Sequence, residues 1–219
     1  MIRRSLVSIR PARALAVALA ATALAACTAI PGGAAPTPVA SVGSASSPGA
    51  CPTSQPEALP AGQTRTVTID TALGSMTLKI EADLSPIAAG NFVTLAGCGF
   101  YDGVVFHRVV DGFVIQGGDP TGSGSGGPGY TIKDEPVTAQ YGRGVVAMAR
   151  TSQPDSVGSQ FFIVLDDGAR QALAQFNTYQ IIGHVTAGME TADAITQAAQ
   201  GVELPPKPVA MTKVTVTNP

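Results

Sequence analysis

From Thr64 onward, polar and apolar residues alternate in short runs separated by turn residues. A period of two commits a chain to strands with two unlike faces, and nothing else in this sequence limits the fold as much. Arg65-Thr-Val-Thr-Ile-Asp70 and Ser75-Met-Thr-Leu-Lys-Ile-Glu81 both alternate, and Thr71-Ala-Leu-Gly74 between them predicts a hairpin. Further short strands are predicted at 104–109 and 113–116 around the Asp111-Gly112 turn, and at 144–149, 160–165, 180–185 and 210–217. A helix is predicted to open at Ser85-Pro86, with Ser85 as N-cap and the proline in the first turn. It sets Ile87, Phe92, Leu95 and Ala96 on one face and stops at Gly97. A second helix is predicted over 190–200, after Gly188. Many short strands with two helices, no βαβ rhythm and no internal repeat predict a mainly β fold, a closed or nearly closed β-barrel.

The first 63 residues follow different rules. Residues 1–26 begin with Arg3, Arg4, Arg10 and Arg13 and continue into an apolar run over 14–26. That run is shorter than the roughly 20 apolar residues a spanning helix needs, so it reads as an export signal. Leu24-Ala25-Ala26-Cys27 resembles a bacterial lipobox, which implies cleavage before Cys27 and lipidation of its thiol. A lipid-anchored protein on the extracytoplasmic side of the cell membrane is the expectation. Removing residues 1–26 takes four arginines and no acid from 13 Lys+Arg and 15 Asp+Glu, so the net charge moves from −2 to −6. Charge alone then gives no attraction to an anionic membrane surface. Residues 27–63 are Pro, Ala, Ser, Gly and Thr with few large apolar side chains, and are expected to form a disordered tether. Residues 64–219 form the domain. Cys51 and Cys98 are a candidate disulfide in an oxidising compartment, or two unrelated thiols; both readings stand at this point.

Several function classes are disfavoured. No basic stripe exists, so nucleic acid is not an expected partner. The glycine-rich 122–129 stretch lacks a following Lys-Ser/Thr and reads as a mobile groove-side loop rather than a phosphate cradle. Only two histidines are present, His107 and His184, which argues against a histidine-rich metal site. The acidic pairs Asp134-Glu135 and Asp166-Asp167 read as solvated turn charges.

The unusual stretch is Phe106-His-Arg-Val-Val-Asp-Gly-Phe-Val-Ile-Gln-Gly-Gly-Asp119, where Arg108 and Gln116 sit among large apolar residues. It closely resembles the cyclophilin signature. Val146-Ala-Met-Ala-Arg150 followed by Gly158-Ser-Gln-Phe-Phe-Ile163 resembles the second signature of that family. Asn91-Phe92, Gly99-Phe-Tyr-Asp-Gly103 and Ile181-Ile-Gly183 also fit. The resemblance implies a closed eight-stranded antiparallel β-barrel capped by two α-helices, and peptidyl-prolyl cis–trans isomerase activity on proline-containing peptides and unfolded exported proteins, by a monomer, without metal or cofactor. Carried over by position, it implies Arg108 as the catalytic arginine. Phe113, Val114 and Phe162 fall on the proline pocket, and Gln116 on the glutamine that binds substrate backbone and orients the arginine. Ala149 and Arg150 fall on the segment that pairs with the peptide, Gln160 on a second groove glutamine, and Tyr179 on a rim position. His107 is expected to be structural, hydrogen-bonded and turned from the groove, and His184 incidental. There is no tryptophan, and the segment 170–177, where the family has one, aligns poorly. The pocket leucine is therefore open among Leu173, Gln175 and Phe176.

Overall fold

The computed structural model describes residues 50–218. Eight strands appear in chain order: β1 (Thr64–Thr71), β2 (Gly74–Glu81), β3 (Arg108–Val110), β4 (Val114–Gly117), β5 (Val145–Met148), β6 (Phe161–Val164), β7 (Ile181–Ala187) and β8 (Met211–Thr217). All pairings are antiparallel, and the sheet runs β3-β4-β6-β5-β7-β2-β1-β8. The β1–β2 hairpin pairs Thr71 with Gly74, as the alternation predicts. Val67, Ile69, Met76, Leu78 and Ile80 are fully buried, so the apolar phase of both strands faces the core.

The eight strands form a half-barrel with β3 and β8 at the ends of the ladder. The closure expected from the sequence is not made by paired strands. The flanking segments meet instead, through the bonds Gly103 N–H to Met211 O (2.7 Å), Met211 N–H to Val104 O (2.9 Å) and Phe106 N–H to Val209 O (2.9 Å). Residues 104–107 are consequently irregular and β3 is only three residues long. Among the described residues there are three helices rather than two: α1 (Pro86–Gly97), α2 (Ala169–Ala174) and α3 (Met189–Ala198). The extra one, α2, has only six residues, too few for a helical period to stand out in the sequence.

Two apolar clusters lie on the two faces of the sheet. The main core joins α1 and α3 to the inner face through Phe92, Leu95, Ile195, Phe161 and Ile163. Phe92, Tyr101, Phe106 and Phe161 pack edge-on or tilted, with ring centroids 5.1–6.1 Å apart. The smaller cluster covers the outer face with Val114, Ala147, Phe162 and Val164, under α2. Along β6, therefore, Phe161 and Ile163 point in while Phe162 and Val164 point out, and every residue is buried.

The α1 N-terminus departs from expectation. Ser85 makes no side-chain cap bond. Glu135 caps the helix from 48 residues away, its carboxylate accepting the N–H groups of Ile87 (2.8 Å) and Ala88 (2.9 Å). These are the donors an N-cap side chain normally satisfies. A negative charge there also complements the helix dipole. Glu135 is thus a structural partner, not a solvated turn charge. Asp134 beside it pairs with Arg150 (3.0 Å) and exchanges backbone-to-carboxylate bonds with Asp155.

The tether also ends earlier than composition suggests. Its residues 27–49, together with the signal segment and Cys27, lie outside the described residues. Residues 50–63 are docked on the domain. Leu59 is buried and its N–H bonds Pro86 O at 2.9 Å. The arm crosses α1 at Gly90, where a Cβ would sit 2.3 Å from Glu57 O, so only glycine admits it. Cys51 and Cys98 are joined by a disulfide, with Cα atoms 5.2 Å apart.

Two outcomes follow. Glu135→Ala should lower unfolding free energy by about 1–2 kcal/mol, the usual cost of a lost N-cap, read from urea denaturation. Reduction, or Cys51→Ser, should cost about 2–4 kcal/mol because a 47-residue separation is no longer closed in the unfolded chain. Calorimetry with and without reductant checks it; an unchanged melting temperature would contradict the docked arm.

Candidate functional site

Strand register builds the site. Arg108 on β3 pairs with Gln116 on β4, Gln116 with Phe162 on β6, and Phe162 with Ala147 on β5. Directly paired residues share a face. A guanidinium, an amide and an aromatic ring thus line up across the outer face of three adjacent strands. Val109 and Ile115, one residue out of phase, are buried on the other side.

That row borders a cavity of about 110 Å³. Arg108, Phe113, Val114, Gln116, Ala149, Arg150, Phe162 and Tyr179 all line it. Leu173 completes the lining, which settles the open pocket leucine in favour of the α2 residue; Phe176 is 65% exposed. Val114, Phe162 and Leu173 form a buried apolar floor. The Tyr179 ring stands edge-on to Phe162 with centroids 5.4 Å apart. Tyr141, which the sequence reading missed, fixes Tyr179 by donating its hydroxyl to Tyr179 O (2.9 Å) and accepting the Tyr179 N–H (3.2 Å). Burial pushes the Tyr141 phenol up to about 12, so it stays a donor at neutral pH.

Gln160 lies outside this cavity, in an adjoining one of about 390 Å³ that shares Gln116, Ala149 and Arg150. Its Nε2 donates to Gly124 O (3.0 Å) and Gly126 O (2.9 Å), which turns its Oε1 to accept from Gln116 Nε2 at 2.9 Å. Gln116 therefore presents its own oxygen elsewhere. Arg150 is a wall rather than a free charge. Its side chain is 10% exposed, and it is spent on Asp134, Thr151 O and Gln153 O.

The glycine-rich loop reaches the groove side, but Asp119 holds it. The carboxylate accepts from Thr121 N–H (2.7 Å) and hydroxyl (2.8 Å), Ser123 hydroxyl (3.3 Å), Gly124 N–H (2.6 Å) and Gly126 N–H (3.0 Å). A Cβ at Gly126 would fall 2.0 Å from Asp119 Oδ1. Burial raises the Asp119 pKa, yet the donors from Gly126, Thr121 and Gly124 outweigh it and hold the group well below the usual carboxylate range.

Arg108 is not held by Gln116, as the sequence suggested. Its Nε donates to Glu203 Oε1 at 2.7 Å. Glu203 stands before Leu-Pro-Pro-Lys-Pro, where an acid reads as a solvated loop charge, so no sequence signal marked it. His107 is buried and lines neither cavity, and burial lowers its pKa. His184 is not idle: its Nδ1 lies 3.0 Å from Glu81 Oε1. Among the described residues no group of three or more His, Cys, Asp or Glu is placed to hold a metal ion.

Residues 66–216 match the family model described as cyclophilin type peptidyl-prolyl cis-trans isomerase. The chain belongs to the cyclophilin-type peptidyl-prolyl cis-trans isomerases. It is 47% identical over 123 residues to peptidyl-prolyl cis-trans isomerase B of Bacillus subtilis, covering 52% of this chain and 80% of that one. An Arabidopsis thaliana peptidyl-prolyl cis-trans isomerase is 40% identical over 134 residues, which are 59% of this chain but 22% of the relative. What the remainder of that longer protein does has no counterpart in this match. The crystal structure of a Cryptosporidium parvum cyclophilin type isomerase in the presence of the dipeptide Ala-Pro superposes with TM-score 0.63 at 31% identity. That match covers 70% of this chain and 99% of the other.

In this cyclophilin, loop anchoring by Asp119 carries a pH signature. A carboxylate depressed in the folded state stabilises it fully above the unfolded value, about 3.9, and loses that contribution as pH falls below it. Unfolding titrations from pH 7 to pH 2 should show wild-type stability falling below about pH 4. Asp119→Asn should start lower at pH 7 and fall less steeply. Parallel curves for the two proteins would rule out this role.

Proposed function

We propose that this cyclophilin accelerates rotation about X–Pro bonds in exported proteins by donating a hydrogen bond from Arg108 to the twisted imide. The uncatalysed rotation breaks amide resonance over about 18–20 kcal/mol and takes roughly 10–100 s. No bond is formed or cleaved, so no nucleophile or general base is needed. In the twisted state the proline nitrogen becomes pyramidal and regains a lone pair; in the planar state it is a poor acceptor. A guanidinium beside it therefore binds the transition state better than either ground state, and only that difference raises the rate.

The observation that carries this reading is a permanent cation at the rim of a small apolar hollow. Phe113, Val114, Phe162 and Leu173 offer a pyrrolidine ring an apolar surface, and Arg108 lines the same cavity. Exclusion of water lowers the local dielectric and strengthens the arginine contact. Gln116 faces both cavities, which suits a group binding the substrate backbone. Ala149 and Arg150 follow β5 where its ladder ends, a position from which backbone groups can meet an extended peptide as an added strand. Gln160 supports Gln116 and the loop, and Tyr179 closes the rim. Monomeric action belongs to the same reading.

The cellular placement rests on the lipobox-like Leu24-Ala25-Ala26-Cys27 and on the disulfide between Cys51 and Cys98, which suits an oxidising compartment. The domain would work on the extracytoplasmic side, tethered to the membrane through a lipid on Cys27 and assisting the folding of proline-containing exported chains.

Arg108→Ala is expected to lower kcat by about 10²–10³-fold, as for removal of one preorganised transition-state donor. Affinity for an X–Pro peptide should change far less. A protease-free isomerisation assay paired with a peptide titration measures both; equal losses in the two would contradict a transition-state role.

A further inference from the structure

We propose that Glu203 is the positioning residue for Arg108, holding the guanidinium in its working orientation. The inference rests on the arginine role proposed above and adds the residue that sets its geometry. Arginine has one donor on Nε and four on its two terminal nitrogens. Glu203 Oε1 takes the Nε donor at 2.7 Å, so the terminal donors remain for a substrate. A charge-assisted bond of that length is among the stronger hydrogen bonds available to a side chain. Fixing the Nε edge also fixes the plane of the guanidinium, because the group is rigid and flat.

Nothing else in the site does this work. Gln116, the cross-strand partner of Arg108, makes no hydrogen bond to it; its Nε2 donates to Gln160. The loop carbonyls of Gly124 and Gly126 hold Gln160 in the orientation that accepts from Gln116. The Glu203 backbone is itself anchored beside the arginine: Val109 N–H donates to Glu203 O at 2.8 Å. On one side, Val202 N–H closes the end of α3 onto Ala199 O at 2.9 Å. On the other follow Pro205, Pro206 and Pro208, whose rings limit the backbone. The carboxylate is thus delivered to Arg108 from a fixed base, 95 residues away in sequence.

Exposure separates this role from a structural one. The Glu203 side chain is 58% exposed and that of Arg108 32%. A pair so open to water contributes little to stability and is screened as a charge. Its loss should therefore change catalysis without changing the melting temperature. The neutral isostere should largely substitute, because the Gln carbonyl still accepts from Nε.

The test compares wild type, Glu203→Ala, Glu203→Gln, Glu203→Lys and Arg108→Ala in the protease-free isomerisation assay, with melting temperatures alongside. Glu203→Ala is expected to lose about tenfold in kcat, within the up to ~10²-fold that small misplacements cost, with KM and melting temperature near wild type. Glu203→Gln should recover most of the loss. Glu203→Lys, which repels the guanidinium from the same base, should lose at least as much as alanine. Adding Glu203→Ala to Arg108→Ala should cost nothing further, the mark of residues acting as one unit. Wild-type or raised kcat in Glu203→Ala, a glutamine variant no better than alanine, or loss only through unfolding would overturn the proposal. If Arg108→Ala is crippled while Glu203→Ala is normal, only the Glu203 assignment fails. If Arg108→Ala is itself active, the arginine mechanism fails and takes Glu203 with it.

Discussion

The molecule depends on burying both faces of the middle of one sheet. Most antiparallel sheets offer one face to a core and the other to water. Here β4, β5 and β6 are covered on the inner side by α1 and α3 and on the outer side by α2 and the segments around Tyr141 and Tyr179. Phe161 and Phe162 are successive residues buried in opposite directions. Each full burial of such a ring is worth about 1.5–3 kcal/mol. A one-residue slip would exchange the inner aromatic cluster with the outer floor, so register is held from two sides at once. The groove inherits that precision: its floor is the outer half of the same strands that form the core.

Polar groups near this apolar surface are paired over long sequence distances. Arg108 meets Glu203, Arg150 meets Asp134, and Glu135 meets the first turn of α1. Asp119 gathers a loop of donors, and Gln160 hands the loop's position on to Gln116. Side chains with no such partner would be expensive beside an apolar wall. The arrangement also leaves few groove groups free to rotate, so they need little reorganisation when a peptide arrives.

What the sequence disclosed divides along the same line. The period of two located β1 and β2, short apolar runs between turn residues pointed to the other six, and Ser85-Pro86 with Gly97 bounded α1, because those signals are local. The two signature stretches named Arg108, Phe113, Gln116 and Phe162, which line one cavity; strand register puts Arg108, Gln116 and Phe162 on one face, and Phe113 joins them from the turn before β4. Long-range partners were invisible. Glu135 and Glu203 look like ordinary loop acids, since an acid's partner is not written beside it. Residues 50–63 were misjudged for a related reason. Their composition is that of a tether, and only Leu59, the missing side chain at Gly90 and the cross-link from Cys51 overcome it. Leu173 stayed ambiguous until α2 gave it a direction.

The docked arm gives α1 a role larger than filling the core. Glu57 and Leu59 press on Gly90, and the next residue, Asn91, is fully buried. Asn91 Nδ2 donates to Gly158 O at 2.8 Å, and its Oδ1 accepts the Tyr130 hydroxyl at 2.7 Å. Gly158 and Tyr130 are walls of the cavity beside the proline pocket. Gln55 adds a second link by accepting the Lys133 N–H at 3.0 Å, two residues before the Glu135 that caps the helix. The arm, the helix and the cavity wall are therefore one hydrogen-bonded assembly. A segment whose composition suits a flexible leash is bound to the element that steadies the groove, so the folded unit reaches back to Cys51 rather than beginning at the first strand.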